Sequence, residues 1–145
     1  MTQTTTNKET LTRFIEDVWN TGDVEAADAY IAPTYTLYHD PGDPWNQQVL
    51  DLRGYKERVR LSRQPFPDQR FSIQALVAED NLVVMTWLWS ATHSGDLPGF
   101  PATGNTITMS GATVYSFEND RLTGHWQITD RLGVYLQLRQ ATTGG

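Results

Sequence analysis

An α+β domain is what this chain predicts, on three observations. Apolar residues recur at helical spacing near the N-terminus, the period changes to alternation after Gln69, and the alternating runs follow one another across turn-sized gaps. Its 145 residues fit one domain, taken as 1–145 with flexible tails at 1–7 and 140–145, and suffice to bury a core without disulfides or metal.

From Lys8 to Asn20, the residues Leu11, Phe14, Ile15, Val18 and Trp19 form one helical stripe, which Gly22 ends. Asp23 is placed to cap a short helix over Val24–Ile31, closed by Pro33. A short extended piece, Tyr35–His39, leads into the turn-rich DPGDPWNQQ and a third helix from about Leu52 to Ser62. In the alternating half, Phe71, Ile73, Ala75 and Val77 share one strand face, and the turn at Glu79–Asn81 leads into a second strand, Leu82–Thr92. A Gly/Pro loop precedes a third strand, Thr106–Phe117, and Asn119–Asp120 turns it into a fourth, Leu122–Thr129. Helices followed by a strand meander predict an antiparallel sheet curling around the N-terminal helix, with a pocket between them.

Composition narrows the function. Eleven basic against 17 acidic side chains give a net charge of -6, which opposes phosphate backbones and anionic membranes, so no nucleic-acid or membrane partner is expected. Without cysteine there is no thiolate chemistry, and three histidines at no ligand spacing give no metal signature. No secretory signal or bilayer-length apolar run is present in the given sequence, so the expectation is a cytoplasmic protein. No P-loop or G-x-G-x-x-G spacing occurs, and no cofactor is expected. Five Trp, six Tyr and five Phe supply both core and the walls of a pocket for a small apolar or aromatic ligand.

Strict alternation in the last strand puts Trp126, Ile128 and Asp130 on one face, and His125 and Gln127 on the other, toward solvent or a subunit interface. If Trp126 faces the pocket, Asp130 does too, and burial would tune it as an acid/base; alternatively Asp130 caps the helical turn that follows. His39, in phase with Tyr35 and Leu37, is the second catalytic candidate, able to orient a carbonyl or share a proton with Asp130; His93 reads better as a loop-fixing residue. Met85, Trp87 and Trp89 share a face of the second strand whose orientation the pattern leaves open. Met109, Tyr55, Phe14 and Val18 are further wall candidates beside Trp126 and Ile128.

Several strings, in order, carry a resemblance: VWNTGD (Val18–Asp23), YHDP (Tyr38–Pro41), FPD (Phe66–Asp68), ATHSGDLPGFPATG (Ala91–Gly104) and HWQITDRLGVYLQL (His125–Leu138). Over roughly Glu9–Leu138 the chain resembles the SnoaL-like polyketide cyclases of the NTF2-like superfamily. The resemblance implies a cystatin-like, cone-shaped half-barrel with a deep apolar cavity, assembled as a homodimer or tetramer through the outer sheet face. It also implies an aspartate at the end of the last long strand as acid/base in an intramolecular aldol closure, and Asp130 matches that position. The expected function is thus a cofactor-independent cyclase or isomerase acting on a small, polyketide-like carbonyl compound. The alternatives are a noncatalytic small-molecule binder and an epoxide-hydrolase-like enzyme. The latter needs an Asp–Arg–Asp set, for which Asp130–Arg131 offers no second in-phase aspartate on a neighbouring strand.

Overall fold

The computed structural model describes residues 2–143. Thr2 caps the first helix by accepting the Thr5 N–H, and α1 runs over Gln3–Phe14, continued by a wider π-helical turn at Ile15–Asn20. The helix thus starts inside the stretch expected as a tail, and Asn7 is buried beneath it. The predicted stripe is the buried one: Leu11, Phe14 and Val18 are fully enclosed, with Ile15 and Trp19 beside them. Gly22 ends the helical run at φ +81, where an added Cβ would lie 2.7 Å from the Arg63 side chain.

Val24–Ala29 is a 3-10 segment rather than a helix reaching Ile31, because Ile31 already opens strand β1, Ile31–His39. Pro33, which lacks an N–H, lies where the pairing of β1 with its parallel neighbour is interrupted. A short strand missed in the sequence, β2 (Val49–Asp51), pairs with β1, and Asp51 caps α2, Leu52–Arg63. The strands β3 (Arg70–Glu79), β4 (Leu82–Thr92), β5 (Thr106–Glu118) and β6 (Arg121–Thr129) follow as the expected meander, and α3 occupies Arg131–Thr143. The expected C-terminal tail, 140–145, is therefore helical to Thr143, and residues 144–145 lie outside the described part.

The sheet order is β2-β1-β6-β5-β4-β3, antiparallel at every pair except β1–β6, which is parallel. It is curved and unclosed, with the N-terminal helices packed on its concave face. The β5–β6 turn places Asn119 and Asp120 at φ 51 and 63, the pair of left-handed residues that a tight two-residue hairpin requires. On β4 the open choice of face is settled: Met85, Trp87, Trp89 and Ala91 point inward, whereas Leu88 is exposed.

Three register shifts decide which side chains enter the interior. In β3 the shift between Ile73 and Ala75 inverts the alternation, so Val77 faces out while Leu76 and Ala78 pack against the core. In β6 the partner of Phe117 is Leu122 but that of Ser116 is Gly124, leaving Thr123 as an extra residue. Leu122 and His125 are therefore both buried, and every side chain after the bulge points opposite to what simple alternation dictates. Gly124 is fixed by the same crowding, since a Cβ there would meet the Thr36 carbonyl oxygen at 2.4 Å. In β1 the pairing slips between Leu37 and His39, so that Asp40 is buried and His39 turns outward against Trp126.

Candidate active site

The two bulged strands, β1 and β6, bring Asp40 and His125 together. Asp40 is 1% exposed and His125 3%. The Asp40 carboxylate takes donors from three elements. From β6, His125 Nε2 lies 2.8 Å from Oδ2, and Gln127 Nε2 lies 3.1 and 3.2 Å from the two oxygens. From α3 comes Arg131 Nη2 at 3.1 Å, and from α2 Arg58 Nη2 at 3.4 Å. Burial by itself would raise the Asp40 carboxyl. The hydrogen bond from His125 and the positive charges of Arg58 and Arg131 outweigh it and hold the group below the ordinary carboxylate range.

Behind His125 stands Tyr35, its Oη 2.6 Å from Nδ1. Burial, reinforced by Tyr55 and Tyr115, pushes the Tyr35 phenol well up, so it keeps its proton and donates it. Burial also pulls the His125 pKa down, against the pull of Asp40, and leaves a neutral ring at neutral pH. A neutral ring has one acceptor and one donor nitrogen; the partners assign the acceptor to Nδ1 and the N–H to Nε2, facing Asp40. The result is a directed chain from Tyr35 through His125 to Asp40.

A second carboxylate, Asp43, belongs to the tight loop after β1. Its Oδ1 accepts the Trp45 N–H at 2.9 Å and its Oδ2 receives Arg58 Nη2 at 3.0 Å. Arg58 thus sits between two aspartates. It lies on the apolar stripe of α2 beside Tyr55 and Val59, and its guanidinium is 5.5 Å from the centroid of the Trp19 ring. Burial lowers its pKa, but the charge of Asp43 outweighs that and keeps it protonated.

This polar cluster ends a recess of about 650 Å³ between the sheet, the helices and the 94–105 loop. Trp19, Trp45, Phe66, Phe71, Trp87 and Trp89 form its aromatic part, and Asp43, Arg58, Gln127, Thr129 and Arg131 its polar end. Asp40, His125 and Tyr35 are one layer behind the wall. The indole N–H groups are occupied within the protein: Trp19 by Tyr55 at 3.1 Å, Trp89 by Gln69 at 3.3 Å and Trp87 by Thr113 at 2.9 Å. Thr113 in turn donates to Gln127 Oε1 at 2.6 Å, which turns the Gln127 amide N–H toward Asp40. Two buried polar atoms of the wall, Arg58 Nε and Thr129 Oγ1, have no protein partner. Among the described residues no group of three or more His, Asp or Glu side chains is placed to hold a metal ion.

The sequence-derived candidates divide sharply. Trp87, Trp89 and Met109 line the recess, whereas Met85, Tyr55, Phe14 and Val18 are core residues behind it. Trp126 and Ile128, 46% and 48% exposed, stand on the outer sheet face, with His39 stacked on Trp126 at 4.7 Å. Asp130 is exposed on the outer side and caps α3, its Oδ1 accepting the Gly133 N–H at 2.9 Å. The bulges in β6 and β1 are the reason: each shifts the alternation by one residue. His125 and Gln127, expected to face outward, are the ones that point in. His93 has the loop-fixing place expected of it, exchanging backbone hydrogen bonds with Asn105 and Gly104 at 2.9 Å and holding Thr103 Oγ1 at 3.2 Å. Asp40, Asp43, Arg58 and Arg131 were missed. A signal for Arg58 was present, since a cation on an otherwise apolar helical stripe calls for a buried partner.

The model of the family described as SnoaL-like polyketide cyclase matches residues 9–138. Among solved structures, a proposed polyketide cyclase from Acidithiobacillus ferrooxidans is 63% identical, with a TM-score of 0.92 over 97% of this chain and 99% of its own. IdmH, a proposed polyketide cyclase from Streptomyces antibioticus, is 26% identical, with a TM-score of 0.78 over 92% and 98%. AclR, a proposed hydroxylase from Streptomyces galilaeus, shares the fold at 17% identity, with a TM-score of 0.80 over 95% and 98%. No curated protein matches. No helix among the described residues is long and apolar enough to cross a membrane. By the extent of the family match and the 63% identity, the chain belongs to the SnoaL-like polyketide cyclase family.

Proposed function

We propose that this protein is a cofactor-independent enzyme that moves a proton at a carbon beside a carbonyl in a small, flat, largely apolar compound, as an intramolecular aldol closure requires. The observation that carries this reading is Asp43: a carboxylate on the wall of an aromatic recess, oriented by Arg58 and the Trp45 N–H. Each Asp43 oxygen accepts one of these bonds and has a further lone pair for a substrate. In this reading Asp43, rather than Asp130, is the acid/base. It takes the α-proton, and the electron pair passes into an enolate whose oxygen faces the guanidinium groups of Arg58 and Arg131. The enolate carbon then bonds to a second carbonyl carbon held against it by the aromatic walls, and the resulting alkoxide takes the proton back from Asp43. Asp40 stays ionised and acts as a positioning residue, fixing Arg58, Arg131 and Gln127.

The test uses ethyl benzoylacetate in D2O, following exchange of its C2 proton by NMR. Exchange above the buffer rate is expected, reduced about 10²- to 10⁴-fold in Asp43→Asn. Unchanged exchange in a folded Asp43→Asn protein removes the assignment. Ligand-induced stabilisation that survives this substitution, without exchange above buffer, leaves the noncatalytic binder.

One observation favours a second reading. The Asp40–Arg58–Asp43 arrangement supplies the carboxylate–guanidinium–carboxylate set that epoxide opening by water needs, from a loop and a helix rather than from neighbouring strands. Styrene oxide turned over in ¹⁸O-water, with label in the diol and loss of turnover in Asp43→Asn, supports it.

A further inference from the structure

The ionisable side chains on the recess wall are Asp43, Asp96, Arg58 and Arg131. Their charges cancel, and the buried Asp40 behind them adds one more negative charge. Both guanidinium groups already have partners: Arg58 lies 3.0 Å from Asp43 and 3.4 Å from Asp40, while Arg131 lies 3.1 Å from Asp40 and donates through Nε to the Pro41 carbonyl at 2.8 Å. An anionic ligand would therefore find no uncompensated positive charge and would lose its hydration on entry. Polar contacts are nevertheless on offer. Arg58 is 5% exposed with its Nε lacking a protein acceptor, and Thr129 Oγ1 is buried without a partner on the same wall. An N–H and a hydroxyl beside stacked indoles suit an oxygen that accepts hydrogen bonds without carrying charge.

We infer that the recess selects an uncharged, oxygen-bearing aromatic compound, a ketone or an ester, over the corresponding carboxylate, with Arg58 Nε and Thr129 Oγ1 as its polar contacts. This rests on the recess being the ligand site of the proposed function, and it sets the charge state of the substrate class.

Three probes of one shape separate the contributions: methyl 2-naphthoate, 2-naphthoate and 2-ethylnaphthalene, titrated calorimetrically at pH 7.5 into wild-type protein and Thr129→Val, a substitution that suits a strand. The ester is expected to bind at least tenfold more tightly than the carboxylate and severalfold more tightly than the hydrocarbon. Thr129→Val should weaken the ester severalfold and leave the hydrocarbon unchanged. Carboxylate binding as tight as ester binding overturns the inference; so does an ester no better than the hydrocarbon, an ester affinity indifferent to Thr129→Val, or no binding of any probe. Asp43-dependent exchange of ethyl benzoylacetate is scored separately, so this selectivity can fail while the proposed reaction stands.

Discussion

The two faces of β6 hold side chains of similar chemistry in opposite circumstances. Outside, Trp126 and Ile128 are about half exposed, and Asp130 meets solvent and one backbone N–H of α3. Inside, His125 and Gln127 converge with Arg58 and Arg131 on Asp40, whose carboxylate no water can reach unaided. The outer carboxylate satisfies itself locally and any good cap would replace it. The inner one is held by three elements that are distant in sequence, so its orientation and charge belong to the fold as a whole. The same strand therefore shows that a carboxylate's place in a mechanism depends on how many elements converge on it, not on its position at a strand end.

The strongest way to break this comparison is truncation. Asp40→Ala leaves Arg58 and His125 buried without their acceptor and should cost about 3–5 kcal/mol in urea unfolding. Asp130→Ala removes only a helix cap and should cost about 1 kcal/mol, with Asp130→Asn close to neutral because asparagine caps as well. Equal costs at the two positions would erase the distinction.

The pH dependence sharpens it. Burial lowers the folded-state pKa of His125, so on acidification the unfolded chain takes up a proton that the folded protein refuses. Stability should fall as pH drops below about 6.5 toward the depressed folded value, by at most about 1.4 kcal/mol per pH unit for this one proton. Asp40 is also lowered, so its contribution is complete above the ordinary aspartate range and is lost as pH falls through its folded value. Denaturation curves from pH 7.5 to 5 should show the first slope in wild type and a flatter profile in His125→Gln; identical slopes would contradict a buried neutral His125.

The outer face should respond to a different perturbation. We propose that a second copy covers Leu88 and Ile128, which are 52% and 48% exposed on the sheet. Light scattering is then expected to give a dimer or tetramer for wild type and a monomer for the Leu88→Lys, Ile128→Lys double variant, with unfolding stability changed by less than about 1 kcal/mol per site. A monomeric wild type would dismiss the proposal.

Much of the fold was legible because long periodic segments declare themselves. The stripe Leu11–Trp19 and the alternation through Leu82–Thr92 are each written in a dozen residues, and their burial agrees. The site was less legible because it depends on single extra residues. Thr123 leaves no mark in the pattern of RLTGHWQIT, yet it reverses the direction of everything after it. The three-residue β2 is too short to show a period, and the parallel pairing of β1 with β6 is a tertiary fact. Asp40 and Asp43 read as turn residues, which they are; their second task appears only when α2 and α3 bring Arg58 and Arg131 to them. Asp130 was legible as a helix cap, and that local reading is where the structure places it.

The central claim is that the working face of β6 and its surroundings is the inner one, with Asp43 as the proton carrier. Enzyme-dependent C2 exchange of ethyl benzoylacetate in D2O, measured side by side for Asp43→Asn and Asp130→Asn at equal folded concentration, tests it most directly. The account predicts a loss of about 10²-fold or more in Asp43→Asn and less than about twofold in Asp130→Asn. Exchange that survives Asp43→Asn and collapses in Asp130→Asn would contradict it.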